Sequence, residues 1–170
     1  DAKKRTGADY TIVAMSGNFM QRGTPALLDK YRRAKMALNN GADLVLELPV
    51  FYSVSSAEYF ATGAVALLDK LGVVDNLCFG SECGNINILQ QIADIFLDEP
   101  AEFSALLKQY VKEGASYPMA RSMALTQFRP ELCDYRDVLM FANNILGIEY
   151  LKALKKRGSK MVPITTTRRV

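Results

Sequence analysis

The 170-residue chain predicts an α/β fold, a Rossmann-like parallel sheet with a helical segment inserted before its last strand. Three observations carry that prediction. Short apolar, β-branched runs alternate with helix-patterned segments through the first half, the order of a parallel sheet with helices on its faces. From residue 85 the pattern turns mainly helical. A final β-branched run then returns near the end. The expected blocks are an α/β core over 1–84, a mainly helical segment over 85–158, and a last core strand with a basic tip over 159–170.

The elements follow in order. "DYTIVAMS" is short enough for a buried strand. "PALLDKYRRAKMALNNG" predicts a helix starting at Pro25, with Leu28, Tyr31, Ala34, Met36 and Leu38 near helical spacing and Gly41 as its stop. "ADLVLELPV" is a second buried strand ended by Pro49. "SSAEYFATGAVALLDKLG" predicts a second helix, with Ser55 and Glu58 at capping-box spacing and Gly72 past its end. "VVDNLCFG" is a third strand. Right-handed crossovers between these strands make the sheet doubly wound or Rossmann-like.

"NINILQQIADIFLDEP", "AEFSALLKQYVKEG", "YPMARSMALTQF" and "NNILGIEYLKALKKRG" read as helices punctuated by Pro100, Gly114, Pro118 and Gly158. "FRPELCDYRDVLMFA" has no firm pattern. "KMVPITTTRRV" reads as a strand interrupted by Pro163. The opening "AKKRTG" resembles the end of a helix already under way.

Composition excludes several chemistries. Hydrophobic residues make up 49% and charged residues 23%, the balance of a soluble globular protein expected in the cytoplasm. No apolar run reaches the roughly 20 residues of a membrane span, so no membrane partner is expected. With no histidine, these residues hold no Ser-His-Asp triad, no Cys-His dyad and no His-ligated zinc. Cys78, Cys83 and Cys133 form no CxxC pair and read as reduced thiols. Charge is unevenly spread. Residues 151–170 hold seven basic side chains and no acidic one, which suits a polyanion such as nucleotide or RNA. The plainer reading is a solvated helix end whose lysines complement the macrodipole.

Open parallel sheets bind ligands outside the carboxyl ends of their strands. That rule selects Ser16-Gly17-Asn18, Glu47-Leu48-Pro49, Phe79-Gly80-Ser81-Glu82 and Thr167-Arg168-Arg169. Gly80 would let a flat ligand approach the backbone, or would serve a tight turn. Ser81 would cap the segment that follows. Arg22 precedes a helix N-terminus and would hold a phosphate or carboxylate, or else pair with Asp29 or Glu47. Glu47, inside an apolar strand, calls for a partner. One of Asn143 and Asn144 would cap a helix. Neither GxGxxG nor GxxxxGK[ST] is present.

"MSGNFMQRGTPALLDKYRRAKMALNNGADLVLELPVFYSVSSAEYFATGAV", "CFGSECGNI", "GASYPMAR", "NNILGIEYLKAL" and "PITTTRRV" closely resemble the bacterial tRNA(Met) cytidine acetate ligase family. The motifs keep their order along nearly the whole chain. The resemblance implies a nucleotidyltransferase-like fold, with residues 1–84 as part of a nucleotide-binding core. It also implies an enzyme that activates acetate with ATP as acetyl-adenylate, releasing pyrophosphate. That enzyme acetylates the wobble cytidine of elongator methionine tRNA to N4-acetylcytidine. Mg²⁺ commonly accompanies ATP phosphates, but no metal ligand is assigned.

Carried over by position, Gly80, one of Asn143 and Asn144, and one of Arg168 and Arg169 are the ATP contacts. Arg169 matches the motif better, and both pairs stay open. Ser16, Asn18 and Arg22 belong to a substrate or phosphate loop by position alone. Lys155, Lys156 and Arg157 are the expected tRNA contacts. No catalytic residue is assigned. The family's first strand and histidine-bearing phosphate motif fall before "AKKRTG", and a further segment completes the site downstream. The chain by itself is therefore expected not to catalyse ATP-dependent acetylation. Ala142 stands where the family pattern has a proline. The alternative reading is a related enzyme that adenylylates a small metabolite, with no tRNA-sized basic surface. A non-catalytic nucleotide- or RNA-binding module is the third.

Overall fold

The computed structural model describes residues 2–168, apart from the side chains of Cys133 and Arg136. Arg169 thus lies outside the described residues. The chain forms two compact units, residues 1–78 with 153–162 and residues 79–152 with 163–170.

The first unit opens with α1 (Ala2–Thr6), the short helix whose end "AKKRTG" announced. Strands β1 (Ile12–Ser16) and β2 (Leu44–Leu48) pair in parallel, in register from Ile12 opposite Leu44 to Ser16 opposite Leu48. Between them runs α2 (Lys30–Asn39). This helix does not start at Pro25, which instead forms an isolated antiparallel bridge with Phe19. The first free helical amides decide the start. Asp29 Oδ1 accepts from the Arg32 amide at 2.9 Å, and Asn18 Oδ1 accepts from the Lys30 amide at 3.0 Å. The apolar spacing on α2 is real, but the helix buries none of its residues.

Past β2 comes a one-turn helix that the sequence pattern did not reveal, α3 (Val50–Ser53), then α4 (Ala57–Asp69). The expected capping box is not formed. The N-cap is Ser56, and the Ser55 hydroxyl donates to Phe51 O one turn back. Ala61, Ala64, Val65 and Leu68 are buried at spacings of one helical face, so this apolar stripe makes the core.

Strand β3 (Asn76–Ser81), helix α8 (Ala142–Arg157) and strand β4 (Val162–Thr167) cross the division between the units. β3 pairs with β4. Val162 N donates to Asp75 O at 2.8 Å and Arg168 N to Ser81 O at 2.9 Å. Both partners advance together, so the pair is parallel. The helical segment precedes the last strand, as predicted, and is the crossover between two strands that pair with each other in a two-stranded sheet. Pro163 does not interrupt β4. The bonded amides belong to even-numbered residues, which leaves its missing N–H on the other edge.

In the second unit, α5 (Ile86–Asp98), α6 (Ala101–Lys112) and α7 (Tyr117–Phe128) precede a 3₁₀ segment, Pro130–Met140, broken at Tyr135. Asn85 caps α5, its side chain accepting from the amides of Asn87 and Ile88. Phe103 is 1% exposed, with ring centroids of Phe96 and Phe128 at 5.6 and 6.1 Å. Burial of such a side chain contributes about 1.5–3 kcal/mol, and its ring contacts join α6 to both α5 and α7.

Candidate functional site

Two strand-end regions carry the selected residues, one in each unit. In the first, β1 ends at buried Ser16, whose carbonyl and that of Gly17 both accept from Arg33 Nη1, at 3.1 and 2.7 Å. The guanidinium thereby satisfies the two carbonyls that leave the ladder at the strand end. Gly17 is needed there, because a Cβ on it would lie 2.2 Å from Glu47 Oε1. Glu47 pairs with Lys30, Nζ to Oε2 at 2.7 Å. The Glu47 hydrogen bond holds the Lys30 ammonium above its ordinary value, against a smaller opposite push from burial.

Glu47 thus has the partner its setting demanded, but the partner is Lys30. Asp29 pairs with Arg32 at 3.3 Å. Neither expected salt bridge of Arg22 forms. Arg22 is exposed on a turn in which Gly23 N donates to Met20 O at 2.8 Å and Gly23 takes φ 74°. It makes no ion pair among the described residues. Asn18 Oδ1 is engaged at the N-terminus of α2. Lys30 and Arg33 escaped the sequence reading because the helix starts later than Pro25 implied. Their signal was the three-residue spacing of cations on the first turn of α2.

In the second unit, Gly80 lies inside β3 rather than past it, and its φ is not positive. The tight-turn reading is thereby removed. A Cβ on Gly80 would lie 3.3 Å from Arg168 Cγ, so the missing side chain makes room for the arginine stem. Ser81 is fully buried. Its Oγ accepts from Gly84 N at 2.9 Å, a turn bond ahead of α5 whose cap is Asn85, and lies 2.7 Å from Thr165 Oγ1. Thr165 Oγ1 donates its single proton to Phe79 O at 3.2 Å, so Ser81 donates to Thr165.

Glu82, the next residue, reaches the first turn of α8. Its Oε1 accepts from Asn143 Nδ2 at 2.6 Å and its Oε2 from Asn144 N at 3.0 Å. Burial pushes its carboxyl up. The Asn143 side chain and the amides of Glu82, Asn144 and Asn143 outweigh that push and hold it below the ordinary carboxylate range. A carboxylate at a helix N-terminus is also favoured by the helix dipole.

The two asparagines differ, and neither caps α8 with its side chain. Asn144 is 1% exposed; its Oδ1 accepts from Cys83 N at 2.9 Å and its Nδ2 donates to Val138 O at 3.1 Å. Both halves of its amide are spent on the fold. Asn143 is half-buried, and its Oδ1 accepts from Arg168 Nη1 at 3.2 Å. Arg168 is exposed and has no carboxylate partner among the described residues. Gly80, Asn143 and Arg168 therefore meet at the carboxyl ends of β3 and β4.

The basic end of α8 belongs to the first unit. Lys156 pairs with Glu58 at 3.2 Å and Arg157 with Asp69 at 3.1 Å, while Lys155 is exposed. Among the described residues no group of three or more His, Cys, Asp or Glu side chains could hold a metal ion. No described helix is long and apolar enough to cross a membrane.

Parallel strands that bring a glycine, an amide and an unneutralised arginine to their carboxyl ends define an α/β protein with a strand-end ligand site. The HIGH nucleotidyl transferase family profile matches residues 1–170, and the chain belongs to that family. It is 49% identical over 167 residues to the tRNA(Met) cytidine acetate ligase of Clostridium novyi (strain NT), a match covering 98% of this chain and 42% of the relative. To the enzyme of the same name from Acetivibrio thermocellus it is 48% identical over 168 residues, covering 99% of this chain and 40% of the relative. The chain thus spans 40–42% of the length of these relatives. The crystal structure of Thermotoga maritima TmcAL bound with alpha-thio ATP (Form II) matches with a TM-score of 0.91 and 42% identity. That match covers 99% of this chain and 42% of the other. The resemblance read from the sequence motifs and the nucleotidyltransferase-like fold are both confirmed by these matches.

Proposed function

We propose that this chain is the nucleotide-handling part of an ATP-dependent tRNA(Met) cytidine acetate ligase. The observation that carries the reading is the Arg168 guanidinium, exposed beside Gly80 and held by the Asn143 amide instead of by an acid. Such a group suits polyphosphate, which a guanidinium binds through charge-assisted hydrogen bonds. Arg168 takes the phosphates, Asn143 assists it, and Gly80 keeps the backbone open to the nucleotide. Asn144 supports the site from within the fold. Arg169 remains a second candidate for the phosphates. Ser16, Asn18 and Arg22 form the loop assigned to substrate, with Arg22 the group on it that has an unspent charge.

The chemistry follows from the substrates. Acetate is a poor acyl donor until its oxygen becomes a good leaving group, and ATP supplies that by adenylation. The acceptor is the exocyclic amine of the wobble cytidine in elongator methionine tRNA. Lys155, Lys156 and Arg157 contact RNA phosphates in this reading. Lys156 and Arg157 would exchange exposed ion pairs for them, each worth about 0–1 kcal/mol.

Equilibrium binding of ATP to this chain, followed by acetate-dependent exchange of pyrophosphate into ATP by the full-length protein, tests the first half. Saturable ATP binding lost in Arg168→Ala is expected; no saturable binding overturns the reading. Filter binding of methionine tRNA against salt tests the second half, since neutralised phosphates set the slope. Alanine at Lys155 and Lys156 is expected to flatten that slope and spare ATP affinity. Equal loss of both rejects the assignment of the basic tip to RNA. Salt-insensitive or absent tRNA binding favours an enzyme that adenylylates a small metabolite.

A further inference from the structure

We propose that Glu82 is a positioning residue: it turns the Asn143 amide so that Arg168 is anchored by a neutral acceptor and keeps its charge for an anionic ligand. This deepens the nucleotide reading and rests on it.

A carboxylate only accepts hydrogen bonds, whereas an asparagine amide has one donating and one accepting edge. Glu82 Oε2 is taken by the Asn144 backbone amide at 3.0 Å, and Oε1 faces Asn143 at 2.6 Å. Only the Nδ2 edge of Asn143 can meet Oε1. Its Oδ1 edge is thereby forced toward Arg168, where it accepts from Nη1 at 3.2 Å. A reversed amide would set carbonyl oxygen against carboxylate and donor against donor.

Charge explains why an amide is interposed. If Glu82 met Arg168 directly, the pair would neutralise the guanidinium before any phosphate arrived. Glu82 is instead satisfied by Asn143 and the first turn of α8, where the burial that opposes its charge is outweighed. Its negative charge is balanced by helix amides, and Arg168 is oriented without being quenched. Gly80 completes the arrangement, since a Cβ there would press on the Arg168 stem at 3.3 Å.

Two variants separate this role from a merely structural one. In Glu82→Gln, the new amide must give its oxygen to the Asn144 N–H and turn its NH₂ to Asn143. Asn143 then reverses, and Arg168 loses its acceptor. ATP affinity is expected to fall by about tenfold, the scale of one hydrogen bond to a charged group. The double variant Glu82→Gln with Asn143→Asp restores a donor–acceptor match between the two positions but places an acid on Arg168. Its thermal midpoint is expected to return to that of the wild type, while ATP affinity stays at least about tenfold down.

The measurements are calorimetric ATP titrations and thermal melts on the wild type and both variants. Recovery of ATP affinity to within about twofold in the double variant would mean that only the hydrogen bond matters, and overturns the proposal. Wild-type affinity in Glu82→Gln also overturns it. Absence of ATP binding by the wild-type protein overturns the nucleotide reading itself, a result distinct from either.

Discussion

Gly84 follows the site strand and takes φ 64°, where a Cβ would lie 2.1 Å from Thr167 Oγ1 and 3.1 Å from Thr167 Cβ. Gly84→Ala therefore meets two penalties. A non-glycine residue in the left-handed region costs about 1–2 kcal/mol. Forcing a methyl against a packed neighbour costs about 1–3 kcal/mol more. The sum is about 2–5 kcal/mol, and a chain of this size loses roughly 2–4 °C of melting temperature per kcal/mol. Gly114, in the same unit, is the control. Its φ is 92°, but nothing lies within 4 Å of a Cβ built on it, so Gly114→Ala meets the backbone penalty alone. Denaturant midpoints of the two variants isolate the clash. Thr167→Ala removes the hydroxyl and methyl that the new Cβ meets, so the double variant should recover about 1 kcal/mol, a coupling typical of touching residues. Equal loss in Gly84→Ala and Gly114→Ala, or strict additivity with Thr167→Ala, refutes the reasoning.

The remaining predictions concern the two asparagines and two titrating groups. Asn144→Ala strands the Cys83 N–H and the Val138 carbonyl, at about 1–3 kcal/mol each. Asn143→Ala should cost under about 1.5 kcal/mol of stability but weaken ATP binding; urea melts and ATP titrations on the same samples read both, and the reverse pattern rejects the assignment. The Ser159 hydroxyl and then Arg157 hold the Asp69 carboxyl below its ordinary range. Its contribution to stability is therefore full above the unfolded value near pH 4 and is lost as pH falls through the depressed folded one. Asp69→Asn should flatten the acid limb of the stability curve, and parallel limbs in wild type and variant count against the network. Burial pushes the Tyr150 phenol up to about 12. Its contribution is full below the unfolded value near pH 10 and disappears as pH rises through the folded one. Tyr150→Phe should remove the last-titrating phenolate from the ultraviolet spectrum and flatten the alkaline limb; an unchanged late phase rejects this.

Much of the fold was legible because the apolar periods are strong. The stripe Ala61, Ala64, Val65, Leu68 and the stripe Leu89, Ile92, Ala93, Phe96 repeat at i, i+3, i+4, i+7, and all eight residues are buried. What failed were local signals with more than one solution. Pro25 suits the first turn of a helix, but it suits a bridge with Phe19 equally well. Ser55 and Glu58 have capping-box spacing, yet Ser56 occupies the cap. A one-turn helix such as α3 is too short to carry a period. Pairing of charges was less legible still, because Glu47 had several cations within sequence reach and only the start of α2 decides for Lys30.

The site shows the same limit and one way past it. Asn143 and Asn144 are indistinguishable as letters, and the family pattern left them open. A helix separates neighbours by about 100°, so at most one of them shares the face of the apolar residues that follow. Ile148 and Leu151 are buried at 1% and 2% exposure, and Asn144 precedes them by four and seven residues. It therefore lies on their stripe. An amide on a buried stripe has to find partners for both of its edges inside the protein, which leaves it nothing for a ligand. Asn143, one step around the helix, meets Glu82 and Arg168 at the strand ends. The period that made α8 recognisable as a helix thus also divides its two asparagines into one that holds the fold and one that faces the site.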